Sequence, residues 1–127
     1  VKELRRFWRS ACWACAGIVF ALKTQRNMQI HATAAVLVLL SAWWLHIPRG
    51  DVLLVFFSIG LVLSLELVNT AIESAVDLVT EEWHAKAKAA KDTAAGAVLL
   101  AAVVAIVIAC CVFGPPLWDK ITTILMG

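Results

Sequence analysis

Three runs of nearly unbroken hydrocarbon, at residues 28–45, 52–68 and 93–113, are separated by short polar segments. Each is close to the roughly 20 residues a helix needs to cross about 30 Å of bilayer hydrocarbon. Three transmembrane helices are therefore predicted, over about 28–47, 51–79 and 87–113 once their polar ends are included. Ile47-Pro48-Arg49-Gly50-Asp51 leaves room only for a tight hairpin between the first two. The polar stretch Thr80 to Lys91 separates the second from the third, so the spans run up, down and up.

Ahead of the first span, Leu4, Phe7, Trp8, Ala11, Cys12, Cys15, Ile18, Val19 and Leu22 recur at three-and-four spacing, with Lys2, Arg5, Arg6 and Arg9 mainly off that stripe. This pattern predicts an amphipathic helix within 1–26, lying in the headgroup plane. Charged and polar residues interrupt it too often for a cleaved secretory signal, so it is expected to stay in the mature protein. At the other end, Gly114-Pro115-Pro116 is expected to end the third span, leaving 114–127 as a tail with a short outer-surface helix after the prolines. Within that span, Ala97, Ala101, Ala105 and Ala109 fall at four-residue steps, which lets helix backbones approach closely in a membrane. Three helices make a thin bundle, so a functional cavity points to several subunits, although the alanine repeat serves packing within one subunit equally well.

Composition agrees with a bilayer as the solvent. The 127 residues are 62% hydrophobic and 16% charged, with mean hydropathy +0.88, against about 45–50% and about 25% in soluble domains. A single all-α membrane domain over 1–127 is expected, and a large soluble catalytic domain is excluded. A net charge of +2 does not by itself imply a nucleic-acid partner. Nine basic residues precede the first and third spans, and only Arg49 and Lys120 lie on the opposite side. By the positive-inside rule the N-terminus and the second loop are cytoplasmic, and the hairpin and C-terminus lie outside. Trp43, Trp44, Trp83 and Trp118 suit an interfacial belt, with core packing as the alternative.

The candidate chemistry lies where the second span runs on toward the cytoplasm. Glu66, Asn69, Glu73 and Asp77 are offset by 0, 3, 7 and 11 positions, which places three carboxylates and an amide on one helix face. Ionisable groups inside or at the edge of a span are costly and are usually kept for function. Glu66 is farthest into the hydrocarbon and suits a general base, whereas a solvated helix end accounts for Asp77 equally well. Stacked carboxylates repel unless a cation relieves them, and hard oxygen donors favour Mg²⁺, which recruits substrate phosphates. A second cluster, Glu81-Glu82-Trp83-His84 followed by Lys86, Lys88, Lys91 and Asp92, could meet the stripe at the membrane surface. Its lysines suit phosphate neutralisation, though a plain solvated loop fits most of it.

Other signals are weaker. Cys12-Trp13-Ala14-Cys15 has redox spacing without the fold around it, and Cys110-Cys111 lies within a span. His31 and His46 flank the first span and read as interface markers rather than metal ligands. Neither familiar glycine-rich phosphate loop is present.

Taken together, Glu66-Leu-Val-Asn-Thr-Ala-Ile-Glu-Ser-Ala-Val-Asp77, then Glu82-Trp-His84, then Ala90-Lys-Asp-Thr-Ala-Ala-Gly-Ala97 resemble the small prokaryotic membrane lipid kinases, the diacylglycerol and undecaprenol kinases. The resemblance runs from about Arg6 to about Val112. It implies a homotrimer of three-span subunits with shared active sites at the cytoplasmic face of the bacterial inner membrane. The implied reaction moves the ATP γ-phosphoryl group to a lipid hydroxyl, with Mg²⁺ as cofactor. Residue by residue it implies Glu66 as catalytic base and Asn69 as the group that helps orient it. Arg6, Trp13, Gln25, Glu73, Glu82, Trp83, His84, Lys91 and Asp92 are implied at the nucleotide, Glu73 and Gln25 at the metal, and Glu66, Arg6 and Ala95 at the lipid. Gln25 stands where the family usually carries a second metal-binding glutamate, so its ligand has lost its charge. The Arg26-Asn27-x-x-Ile30-His31 form looks more like the undecaprenol kinase branch, which makes a polyprenol the first expected substrate and diacylglycerol the second. An ion-coupled transporter subunit and a non-catalytic scaffold are the competing classes. The stripe climbs away from the midplane where transport sites usually lie, and a scaffold leaves Glu66 without a purpose.

Overall fold

The computed structural model describes residues 1–126 as four helices, with no strand among them. They are α1 (Lys2–Thr24), α2 (Arg26–Trp44), α3 (Arg49–Val79) and α4 (Ala85–Met126). Antiparallel α3 and α4 form the main packing, α2 lies along α3, and the last turns of α1 touch α2 and α3. At about 1.5 Å per residue, α3 and α4 are about 46 and 63 Å long, so both exceed a bilayer's hydrocarbon. Each contains a window apolar enough to cross a membrane, with mean hydropathy 2.3 and 3.0. α2 is shorter, and Arg26, Asn27, Gln29 and His31 dilute its first turns.

The joints follow from local chemistry. Gln25 is extended (φ −103°, ψ 115°) and breaks the chain between α1 and α2. The Gln29 amide donates to the Leu22 carbonyl at 3.0 Å, so α2 caps an orphan carbonyl at the end of α1. After α2, His46 adopts φ 55°. Its N–H donates to the Trp43 carbonyl at 3.2 Å, and the Ile47 N–H to Ala42 at 3.0 Å. That is a Schellman stop, with the expected apolar contact between Ile47 and Ala42 and with histidine where glycine is usual. His46 thus closes a helix, a role its position as an interface marker did not suggest.

One expectation fails at the C-terminus: α4 does not stop at Gly114 but runs through Pro115 and Pro116 to Met126. Neither proline can donate a backbone hydrogen bond, so the extension depends on tertiary support. Phe113 is buried with Ala42, Ile47 and Val55, and the Lys120 ammonium sits 4.0 Å above the Trp44 ring. These contacts pin the extension against the end of α2.

Near the other end, Ala21 is buried while Leu4, Phe7, Trp8 and Trp13 on α1 stand exposed, with the Arg9 guanidinium 5.3 Å over Trp13. An apolar face of that size calls for lipid or another chain.

Candidate active site

The α3 stripe changes character along its length. Glu66, Asn69 and Thr70 are buried, at 2%, 4% and 5% exposure, Glu73 is half-buried and Asp77 is exposed. Glu66 lies about 10 Å and about 16 Å along α3 before Glu73 and Asp77. Thr70 donates its hydroxyl to the Glu66 carbonyl at 2.9 Å, and Ser74 to the Thr70 carbonyl at 2.8 Å, so neither hydroxyl reaches the Glu66 carboxylate.

Asn69 was expected to orient Glu66, but here its Nδ2 donates to Glu73 Oε1 at 3.2 Å. Glu66 Oε2 and Asn69 Oδ1 are buried without a hydrogen-bond partner. Two orphaned acceptors one turn apart are a costly arrangement, of the kind expected where a ligand supplies the donors. The ionisable neighbours acting on Glu66 are Glu73 on its own helix and His31 from α2. Reading His31 as an interface marker missed this proximity, because only the packing of α2 on α3 creates it.

A cleft of about 350 Å³ opens below the stripe, between the end of α3 and the start of α4. Thr80 Oγ1 accepts the Glu82 N–H at 3.2 Å, and His84 Nδ1 accepts the Lys86 N–H at 3.2 Å, which sets the turn and caps α4. Asp77 and Lys91 pair across the cleft at 2.5 Å, and Lys88 pairs with Asp92 along α4. Trp83 stands at the rim, 81% exposed. Four carboxylates (Asp77, Glu81, Glu82 and Asp92) face two ammonium groups (Lys88 and Lys91). A bare polyphosphate meets net repulsion there, whereas one carrying a divalent cation does not.

The fold therefore brings Glu82, Trp83, His84, Lys91 and Asp92 to one cleft and places Glu66, Asn69 and Glu73 above it on one helix face. Ala21 lines a groove with Thr70, Ala71 and Ser74, so the end of α1 sits at the level of Glu73, with Gln25 one turn beyond. Arg6, Trp13 and Ala95 are not gathered in: all three are exposed. Among the described residues no group of three or more His, Cys, Asp or Glu side chains is placed to hold a metal by itself. Glu73, with one oxygen engaged by Asn69, can still offer the other to an ion that takes its remaining ligands from water and phosphate. The Gln25 Nε2 donates to Thr24 Oγ1 at 3.3 Å, so its carbonyl oxygen is the atom available to a cation.

The prokaryotic diacylglycerol kinase family model matches residues 12–113, which include the whole stripe and cleft but not Arg6 or the end of α4. The undecaprenol kinase of Bacillus subtilis is 45% identical over 116 residues, 91% of this chain and 94% of that protein. A diacylglycerol kinase of Synechocystis is 47% identical over 106 residues, 83% of this chain and 61% of that protein. The diacylglycerol kinase of Escherichia coli K12 is 30% identical over 105 residues, 83% and 86% of the two chains.

Proposed function

The chain belongs to the prokaryotic diacylglycerol kinase family, and on that premise we propose that it transfers the γ-phosphoryl group of ATP to the hydroxyl of undecaprenol within the membrane. The chain is an enzyme, a lipid kinase. The observation that carries the chemistry is the buried Glu66 carboxylate with an unpartnered oxygen, about 16 Å along α3 from the cleft's Asp77. The alcohol donates its hydrogen bond to Glu66, and its oxygen attacks the γ-phosphorus in line. The new P–O bond forms as the bond to ADP breaks, and Glu66 takes the proton. Asn69 holds Glu73 toward the phosphates, and Lys91 and Lys88 exchange Asp77 and Asp92 for phosphate oxygens as the nucleotide arrives.

In this reading Glu73 would hold Mg²⁺, with the Gln25 carbonyl as a weaker, uncharged ligand. A bound cation would supply the positive charge that phosphates need beside four carboxylates. α2 serves as a third span, its residues 30–44 continuing the apolar layer of α3 and α4. In the same reading α1 lies on the cytoplasmic surface with its exposed apolar side chains in lipid, and the asymmetry of basic residues supports a cytoplasmic N-terminus and cleft with the C-terminus outside. Assembly as a homotrimer covers the apolar flanks of α3 and α4, where Phe56, Phe57, Leu99 and Leu100 are more than 60% exposed, and it offers a route for Arg6 and Trp13 to reach a neighbouring subunit's site.

Diacylglycerol is the second candidate substrate, because the Synechocystis and Escherichia coli relatives carry that name. Purified protein in mixed micelles with Mg·ATP, presented separately with undecaprenol and diacylglycerol, distinguishes them. A phosphorylated polyprenol supports the proposal, phosphatidic acid alone replaces the substrate, and no phosphorylated lipid from either refutes the kinase reading.

A further inference from the structure

Lys91 Nζ lies 2.5 Å from Asp77 Oδ1, and the pair ties the end of α3 to the start of α4 across the turn from Thr80 to His84. The other ion pair of the cleft, Lys88 with Asp92, joins residues four apart on α4 alone. Both ammonium groups that face the cleft are therefore covered by carboxylates. Only the first pair spans two helices.

Holding those helices together is not what the pair does best. α3 and α4 already form the main packing of the fold, with Ala94, Val98 and Ala101 of α4 buried. The paired side chains are 37% exposed for Lys91 and 59% for Asp77, and exposed pairs add little stability. The larger effect is on the ammonium itself, because a carboxylate and a phosphate offer it the same kind of charged acceptor. An ammonium has three donors and could touch both, but a carboxylate kept beside an arriving phosphate sets like charges close together. Glu81 and Glu82 line the same cleft and add to that repulsion. Nucleotide and Asp77 thus exclude one another at Lys91.

We propose that Asp77 is an internal competitor of the nucleotide: it occupies Lys91 while the cleft is empty, lowers the affinity for ATP and ADP alike, and retakes Lys91 as ADP leaves. This rests on the reading of the cleft as the nucleotide site and deepens it, by giving a residue outside the transfer chemistry control over nucleotide affinity and product release. Apparent affinity falls with the fraction of molecules whose binding-competent form is available. An exposed pair favours its closed form by about two- to fivefold, so freeing Lys91 permanently should tighten nucleotide binding about threefold to sixfold.

The test measures equilibrium binding of Mg·ADP to the full-length protein in nanodiscs. Asp77→Asn is expected to lower Kd about threefold to sixfold. Glu81→Gln removes the same charge from the same cleft, at a residue with no ion pair among the described residues, and is expected to shift Kd less than twofold. In a Lys91→Met background, Asp77→Asn should tighten binding no more than Glu81→Gln does. The unaltered protein guards against a variant that fails to fold: a zero-length carbodiimide should crosslink Asp77 to Lys91, and saturating Mg·ADP should suppress that crosslink at least threefold. An unchanged or raised Kd in folded Asp77→Asn, an equal effect from Glu81→Gln, or a crosslink that persists at saturating Mg·ADP overturns the role of Asp77 and leaves the kinase reading intact. Failure of the unaltered protein to bind either Mg·ADP or Mg·ATP overturns the nucleotide reading of the cleft, and the competitor with it.

Discussion

Replacing Glu66 with glutamine removes one proton acceptor and almost nothing else. The side chain keeps its shape at 2% exposure, and its site is one where a neutral amide is accommodated at least as readily as a carboxylate. Folding should therefore survive, with a thermal midpoint no lower than that of the unaltered protein. Loss of a positioned general base costs about 10²–10⁴-fold in rate, or about 2.7–5.5 kcal/mol of transition-state stabilisation. The cleft proposed for the nucleotide is centred near Asp77 and Lys91, eleven residues and about 16 Å along α3, so KM for ATP should change less than about twofold. The assay measures kcat and both KM values for phosphate transfer from radiolabelled ATP to undecaprenol in nanodiscs, alongside a melting curve. A Glu66→Gln protein with kcat within threefold of the unaltered enzyme refutes the assignment. So does an equal rise in KM for ATP, because it would place the carboxylate at the nucleotide.

Further outcomes follow from the same geometry. Glu73→Gln is expected to raise the Mg²⁺ concentration for half-maximal activity about tenfold or more, and an unchanged Mg²⁺ titration excludes Glu73 as a ligand. Lys91→Met removes the ammonium that spans the cleft to Asp77. A charge-assisted contact worth at least about 1.4 kcal/mol should appear as a rise of about tenfold in KM for ATP, with kcat less affected; an unchanged KM means that Lys91 serves only Asp77. Phe113→Ala empties the cluster that holds α4 against Ala42, Ile47 and Val55. The expected loss is about 3 kcal/mol, read as a lower melting midpoint in detergent, and an unaltered midpoint shows that the extension beyond the prolines is held elsewhere.

The sequence by itself determined that the long helices are apolar enough to cross a membrane and that Glu66, Asn69 and Glu73 share one face of α3. Apolar runs long enough to cross hydrocarbon are a local property. So is the spacing of Glu66, Asn69 and Glu73, because 3.6 residues per turn fixes which residues share a face. That is why the stripe was legible before any packing was known. What only the tertiary structure decided are relations between helices. Gly114-Pro115-Pro116 reads locally as a stop, yet the helix continues because Phe113 and Lys120 find partners on other helices. For Asp77 the sequence left a solvated helix end and a place in the stripe equally open; it is exposed, and Lys91, fourteen residues on, pairs with it. His31 reads as a boundary marker, yet α2 carries it to Glu66 and to the mouth of an apolar cavity. Contacts between helices depend on packing angle and register, which follow from the summed fit of many side chains, and no local pattern along one helix encodes where its neighbour will lie.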